Sequence, residues 1–372
     1  MTLQGYIDTF HEIAINPKKQ KEKYLAEGKE IVLTAPVYTP NEIIHSMGFV
    51  PMGAWGGDLQ IQEAKQYFPA FICSVMQSVL ELGMKGTFSG VSAIVIPSLC
   101  DSLKVLGENW KYAISDIPFI PMTYPQNRKP EFGKQYTIHG YERVITDLEK
   151  LGRKAFSKES LARSIEIYNE HNAVMREFAR VCPESALKAS ERSDVFKSAF
   201  FLLLEEHTKL VNGLLAALQA EGARKSTGQR VYLTGILADS PSLLQIFDEN
   251  DINIAGDDIA AASRQYRVDV PKILDPLEAV AVKFQQMDHC CVLYDPTKGR
   301  VEYILREAEA VGAKGILHIQ TKFCDPEEFD YPLIKKACAE HNMPLIQIET
   351  DRQMSNYEQA RTMIQTFVEM ME

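Results

Sequence analysis

The chain has 372 residues, 45% of them hydrophobic and 24% charged, the balance of a globular protein with room for two or three compact units. A formal net charge of −10, from 40 basic and 50 acidic residues, speaks against the clustered positive potential that a nucleic-acid surface needs. No stretch is long and apolar enough to span a membrane, and residues 1–8 have neither a basic n-region nor an apolar h-region, so a cytoplasmic location is expected.

Residues 1–150 alternate short β-rich runs with helical patterns. Lys18-Lys19-Gln20-Lys21 is expected to be a solvated helix face. Ile31-Val32-Leu33-Thr34 reads as a buried strand. Thr39-Pro40-Asn41-Glu42 reads as a helix start, with Thr39 as cap, Pro40 in the first position and Glu42 closing a capping box. Further strands are expected at Phe49-Val50-Pro51-Met52, Ala93-Ile94-Val95-Ile96 and Pro118-Phe119-Ile120-Pro121. Such alternation implies a parallel sheet with ligands beyond its carboxyl edge. Gly53, Gly56 and Gly57 do not make a dinucleotide fingerprint.

Residues 151–228 are helical in pattern. Leu161, Ile165, Tyr168, Met175, Phe178 and Val181 keep three-four spacing, as do Val195, Ala199, Leu203, His207, Leu210, Leu214 and Leu218. His207 lies on that apolar stripe and reads as a core histidine. The polar stretch 221–229 reads as a connector.

Residues 229–372 return to the first pattern. Val32 to Pro40 lines up with Tyr232 to Pro241, allowing one inserted residue. Later in each half comes strand, cysteine, helix: Ile94-Val95-Ile96 before Cys100, and Gly315-Ile316-Leu317-His318 before Cys324. The expected fold class is therefore α/β, two parallel-sheet lobes of related topology joined by a helical segment. Asp257-Asp258 reads as a solvated turn and Glu327-Glu328 as a helix first turn.

Seven cysteines occur: Cys73, Cys100, Cys182, Cys290, Cys291, Cys324 and Cys338. An odd number without a leader is a poor disulfide framework. No Cys-x-x-Cys pair is present, so any metal group has to be assembled from distant parts of the chain. Cys100 and Cys324 each follow a strand and precede an Asp that starts a helix, and Cys73 opens a helical pattern after Pro69. Partial positive charge at helix N-termini favours thiolate there. Three such sulfurs meeting between the lobes suit three irons of a four-iron–four-sulfur cube, leaving the fourth iron open. Isolated cysteines are also commonly inert core residues, and from spacing alone both readings stand. Cys182, Cys338 and the pair Cys290-Cys291, expected on a strand with side chains on opposite faces, fit the inert description.

Three segments decide more. Tyr67-Phe68-Pro69-Ala70-Phe71-Ile72-Cys73-Ser74, Pro97-Ser98-Leu99-Cys100-Asp101-Ser102-Leu103 and Lys322-Phe323-Cys324-Asp325-Pro326-Glu327-Glu328 resemble the cluster-binding segments of the (R)-2-hydroxyacyl-CoA dehydratase family. Pro51-Met52-Gly53-Ala54-Trp55-Gly56-Gly57, Tyr124-Pro125-Gln126-Asn127-Arg128, Val270-Pro271 and Glu358-Gln359-Ala360-Arg361 resemble further family segments, so the likeness runs end to end. It is nearest to the beta subunits acting on 2-hydroxyisocaproyl-, phenyllactyl- and lactoyl-CoA.

The resemblance implies one 4Fe-4S cluster on Cys73, Cys100 and Cys324, and no catalytic side chain in this chain. It implies a larger homologous alpha subunit that binds the acyl-CoA substrate, and a transient ATP-hydrolysing iron–sulfur activator. The proton to be lost is beta to the thioester and not acidic, so the family adds one electron to the thioester, and the resulting ketyl expels the 2-hydroxyl group. Gln126-Asn127-Arg128 fits either a CoA phosphate contact or a surface turn. The alternatives are the small subunit of an ATP-dependent acyl- or aryl-CoA reductase, such as benzoyl-CoA reductase, and a cluster-free two-lobed binding protein. The related double-cubane proteins need more cysteines near the cluster.

Overall fold

The computed structural model describes residues 1–152, 155–221 and 227–371. The chain begins α1 (Leu3–Ile15), α2 (Pro17–Ala26), β1 (Ile31–Thr34), α3 (Asn41–Ser46), β2 (Val50–Gly53) and α4 (Ser74–Met84). It continues β3 (Ala93–Pro97), α5 (Asp101–Ala113), β4 (Phe119–Met122) and α6 (Glu131–Lys150). The helices α7 (Lys158–Val181), α8 (Ala189–Ser198) and α9 (Leu204–Glu221) follow. Then come β5 (Gln229–Gly235), α10 (Pro241–Glu249), β6 (Ile252–Ile259), α11 (Pro276–Gln286) and α12 (Arg300–Ala310). The chain closes with β7 (Gly315–Thr321), α13 (Asp325–Glu340), β8 (Leu345–Thr350) and α14 (Glu358–Met371).

The strands form two four-stranded sheets, each wholly parallel, in the orders β2-β1-β3-β4 and β6-β5-β7-β8. Both orders read second-first-third-fourth, so the two lobes share one topology, as the aligned segments of the sequence imply. β1, β3 and β7 are buried along their whole length, the mark of strands covered by helices on both faces. The largest core is common to both lobes. It packs Leu33 and Ile94 of the first sheet, Leu233 and Leu317 of the second, and Phe178, Phe196 and Leu214 of the intervening helices. In each sheet the first and third strands lie side by side while their neighbours lie outward, which opens a crevice at their carboxyl ends. The third strand of each sheet runs into a cysteine: β3 into Cys100 and β7 into Cys324.

Several local expectations are overturned by tertiary contacts. The capping box does not form, because Thr39 Oγ1 donates to Ala35 O at 2.8 Å and Glu42 pairs with Lys283 of α11 at 2.6 Å. Lys21 is buried rather than solvated, and its ammonium donates to Thr87 O and Ser89 O at 2.7 and 2.9 Å. The periodic run from Val195 to Leu218 is two helices, α8 and α9. At the break, Gly53 N donates to Phe200 O at 2.8 Å and Leu203 N to the Tyr24 hydroxyl at 2.9 Å, so other elements take the backbone groups a continuous helix would use. Residues 290–294 form turns, not a strand. Of the stretch 221–229 expected as a connector, residues 222–226 lie outside the described residues, and Gln229 already belongs to β5.

Candidate functional site

Cys73, Cys100 and Cys324 occupy the same structural position three times: each is the N-cap residue of a helix, α4, α5 and α13 respectively. Their carbonyls accept the first helical bonds, Cys73 O from Met76 N at 3.1 Å, Cys100 O from Lys104 N at 3.2 Å and Cys324 O from Glu327 N at 3.0 Å. Each sulfur therefore hangs over the unsatisfied N–H groups of a first turn, the positive end of a helix dipole.

The three thiols lie within electrostatic reach of one another. Burial pushes the Cys100 thiol up to about 12, with Cys73 adding to the effect, and pushes Cys324 well above the ordinary thiol range, with Cys73 and Cys100 adding. Burial likewise raises Cys73, opposed by the amides of Val75 and Met76 and by the charge on Arg352. Among the described residues no three His, Cys, Asp or Glu side chains converge closely enough to hold a single metal ion. Three soft thiols from the two lobes lie within electrostatic reach of one another.

The second lobe is locked onto the first beside Cys73. Arg352, in the loop after β8, is buried and reaches Asp58 and Asp239 at 2.9 Å each and Trp55 O at 3.1 Å. Its own backbone N–H donates to Ser74 Oγ at 3.2 Å, next to the capping cysteine.

Behind Cys324 lies a buried charge network. Glu327, in the first turn of α13, meets His318 Nε2 at 3.2 Å and Arg300 Nη2 at 3.0 Å. Asp258 at the end of β6 meets Arg300 Nε at 2.8 Å, Arg264 Nε at 3.0 Å and Arg267 Nη2 at 2.5 Å. Burial alone would raise both carboxyls. The guanidiniums outweigh it and hold both far below the usual carboxylate range, so they remain charged. Asp257 is also buried and meets Arg192, while Ser263 Oγ donates to it at 2.6 Å. The pair Asp257-Asp258 is thus a core anchor and not a solvated turn. Arg128 is 2% exposed and bonds Tyr294 O, Met287 O and Asp288, so it pins the 287–294 segment and neither forms a surface turn nor faces a ligand.

The crevice beyond β1 contains a cavity of about 130 Å³, walled by aromatic residues that include Tyr38, Trp55, Tyr124, Tyr168, Tyr266 and Phe284. Neither the charge network nor the Arg352 lock is visible in local pattern. The available signal is Ser263-Arg264-Gln265-Tyr266-Arg267 following two acids at a strand end, since buried acids need buried bases.

The family model for the 2-hydroxyglutaryl-CoA dehydratase D-component matches residues 36–371. The chain belongs to this dehydratase family. The (R)-phenyllactyl-CoA dehydratase beta subunit of Clostridium sporogenes is 43% identical over 98% of both chains. The lactoyl-CoA dehydratase subunit beta of Anaerotignum propionicum is 40% identical over 99% of both. The (R)-2-hydroxyglutaryl-CoA dehydratase subunit beta of Acidaminococcus fermentans is 35% identical over 99% of this chain and 100% of that one. The dehydratase-family match includes all three helix-capping cysteines, the arginine network and Arg352.

Proposed function

We propose that this chain is the beta subunit of an (R)-2-hydroxyacyl-CoA dehydratase, a hydro-lyase, and that Cys73, Cys100 and Cys324 hold one 4Fe-4S cluster. The observation that carries the cluster assignment is the triple repetition of a capping cysteine at a helix N-terminus, twice in the first lobe and once in the second, with the three thiols in mutual electrostatic reach. The relatives named beta subunits support the assignment to a dehydratase.

Bound there, a 4Fe-4S cluster supplies one-electron storage, and relaying a single electron is the role proposed for it. The protein's part is to hold and tune. Three thiolates replace three protons, and the first turns of α4, α5 and α13 stabilise added negative charge. Ile72, Leu99 and the buried part of Trp55 contribute apolar surroundings that keep water away. The proposed division of the chain is a lobe over 1–150, a helical segment over 151–228 and a lobe over 229–372.

A larger alpha subunit binding the acyl-CoA is the proposed partner, with an ATP-hydrolysing iron–sulfur activator as transient electron donor and the cytoplasm as location. Two large apolar side chains flank the site in the open: Phe71, two residues before Cys73, is 71% exposed, and Phe329, in the first turns of α13, is 75% exposed. Such side chains beside a redox site suit a docking surface. The deciding experiment is iron and acid-labile sulfide analysis of anaerobically purified chain. About four of each per chain is the expected result; a metal-free chain that still supports dehydration with its partners would sink the assignment.

A further inference from the structure

A second thiol site lies on the far side of the charge network. Cys290 and Cys291 are adjacent in sequence, yet the turn at 290–293 brings both sulfurs to one buried guanidinium. Arg264 Nη1 stands 3.4 Å from Cys290 Sγ and 3.7 Å from Cys291 Sγ. Arg264 cannot swing away, because its other nitrogens are held by Asp258 Oδ1 at 3.0 Å and Gly235 O at 3.0 Å. The Cys291 thiol and the Tyr38 hydroxyl stand close enough to the Cys290 sulfur to favour its charged form. Cys290 is buried and Cys291 is half-buried, and Tyr38 also walls the aromatic cavity.

We propose that Cys290 and Cys291 form a redox-active dithiol, a modification site distinct from the three capping cysteines, which a hydroperoxide converts to an internal disulfide. Burial would push the Cys290 thiol up, but the neighbouring Cys291 thiol, the charge on Arg264 and the Tyr38 hydroxyl hold it below the ordinary thiol range. Cys291 is pushed up by burial and by its neighbour, so the pair shares one proton, with the charge on Cys290. The Cys290 thiolate attacks the terminal peroxide oxygen, the O–O bond breaks, and hydroxide (from hydrogen peroxide) or an alkoxide (from an organic hydroperoxide) leaves and takes a proton from solvent to become water or an alcohol. Cys290 is then a sulfenic acid. The Cys291 sulfur attacks it, the S–O bond breaks, and the thiol proton leaves with the hydroxyl as water. Two electrons pass from the two sulfurs to the peroxide.

Adjacent cysteines have Cα atoms about 3.8 Å apart, closer than an ordinary disulfide spans, so the product is strained and easily reduced. The step is thereby reversible. It also removes the negative charge facing Arg264, which keeps Asp258, Gly235 and Glu327 as partners at the carboxyl edge of the second sheet. The other inert thiols supply internal controls. Cys182 and Cys338 are buried, and burial pushes both up to about 11, against the opposing charge of Arg192 at Cys182.

The test uses anaerobically purified chain carrying whatever iron it holds. It is treated with one equivalent of hydrogen peroxide, quenched with iodoacetamide and digested for mass spectrometry. The expected result is a peptide spanning 290–291 that is two hydrogens lighter and unalkylated, restored by dithiothreitol, and formed on the order of tenfold faster than any loss of alkylation at Cys182 or Cys338. In Cys291→Ser the reaction should stop at Cys290 as a dimedone-trapped sulfenic acid. A 290–291 peptide that stays doubly alkylated at a dose that oxidises free cysteine overturns the proposal, as does oxidation no faster than at Cys338. Iron measured on the same sample tests the cluster separately, and its absence leaves the dithiol result standing.

Discussion

A capping position is where a cysteine does most with its surroundings, because the same first turn that lacks hydrogen-bond partners also stabilises negative charge. Replacing Cys73, Cys100 or Cys324 singly by Ser is expected to cut bound iron and sulfide to a small fraction, since a hydroxyl at that position stays protonated and binds iron weakly. Cys182→Ser, at a buried thiol remote from those helix starts, should leave both unchanged. Equal iron in all four variants would remove the ligand assignment. Another residue pair carries a pH dependence. His207 is fully buried, its Nε2 facing Ser198 Oγ and Val195 O at 3.0 Å each and its Nδ1 facing His171 Nε2 at 2.9 Å. Burial lowers its proton affinity from the ordinary 6.5 to about 4, and lowers that of His171 as well. Between those values the unfolded chain binds a proton that the folded one refuses, so stability falls as pH drops through this window and levels off below about 4. The loss from His207 alone is about 3 kcal/mol. Urea midpoints at pH 7 and pH 5 check it: His207→Gln should flatten the slope, and an unchanged slope would refute the account.

At the scale of elements, backbone approach decides where side chains are tolerated. Gly235 ends β5 with φ +149°, and a Cβ there would lie 2.3 Å from Ile319 O of β7. Its own carbonyl accepts from Arg264. Gly235→Ala should therefore pry apart the two central strands of the second sheet and cost more than about 2 kcal/mol, read as a lower urea midpoint. Gly57→Ala, which meets open space, should cost little. Gly53 faces the other side of the same logic: a Cβ would sit 2.8 Å from the Phe200 side chain, at the point where the helices α8 and α9 separate. β1, β3 and β7 were legible in sequence because continuous apolar runs report burial on both faces, whereas β6, which carries Asp257 and Asp258, was not. The break at 199–203 was not, since Gly53 and Tyr24 impose it from elsewhere in the chain. The capping box at Thr39 failed for a similar reason, Glu42 being drawn to Lys283 across the fold.

On the scale of the whole molecule, two lobes of one topology meet through a common core and the Arg352 lock, and the capping cysteines come from both. A chain proposed to pass an electron onward needs its exposed rim to meet a partner. Phe71→Ser with Phe329→Ser should weaken association with the alpha subunit by about tenfold or more, as loss of two interface aromatics does, while iron content stays unchanged. Binding titrations on the anaerobic proteins measure this. An affinity unaltered in the double variant would move the interface elsewhere, and full dehydratase activity from this chain with activator alone would refute the need for a partner.

The amino-acid order by itself determined the parallel α/β architecture, the repetition of one lobe in the other, and the placing of Cys73, Cys100 and Cys324 at helix starts, the latter two shortly after a strand. These rest on short-range physics: burial periodicity, turn and cap chemistry, and the helix starts that follow each cysteine. Only the tertiary structure decided which distant groups meet. It turned Asp257-Asp258 from a solvated turn into a core anchor, Arg128 from either a phosphate contact or a surface turn into a clamp on residues 287–294, and Cys290-Cys291 from a strand into a turn that faces one arginine. A buried charge has to find its counter-charge wherever the fold provides it, and local pattern carries no record of that choice.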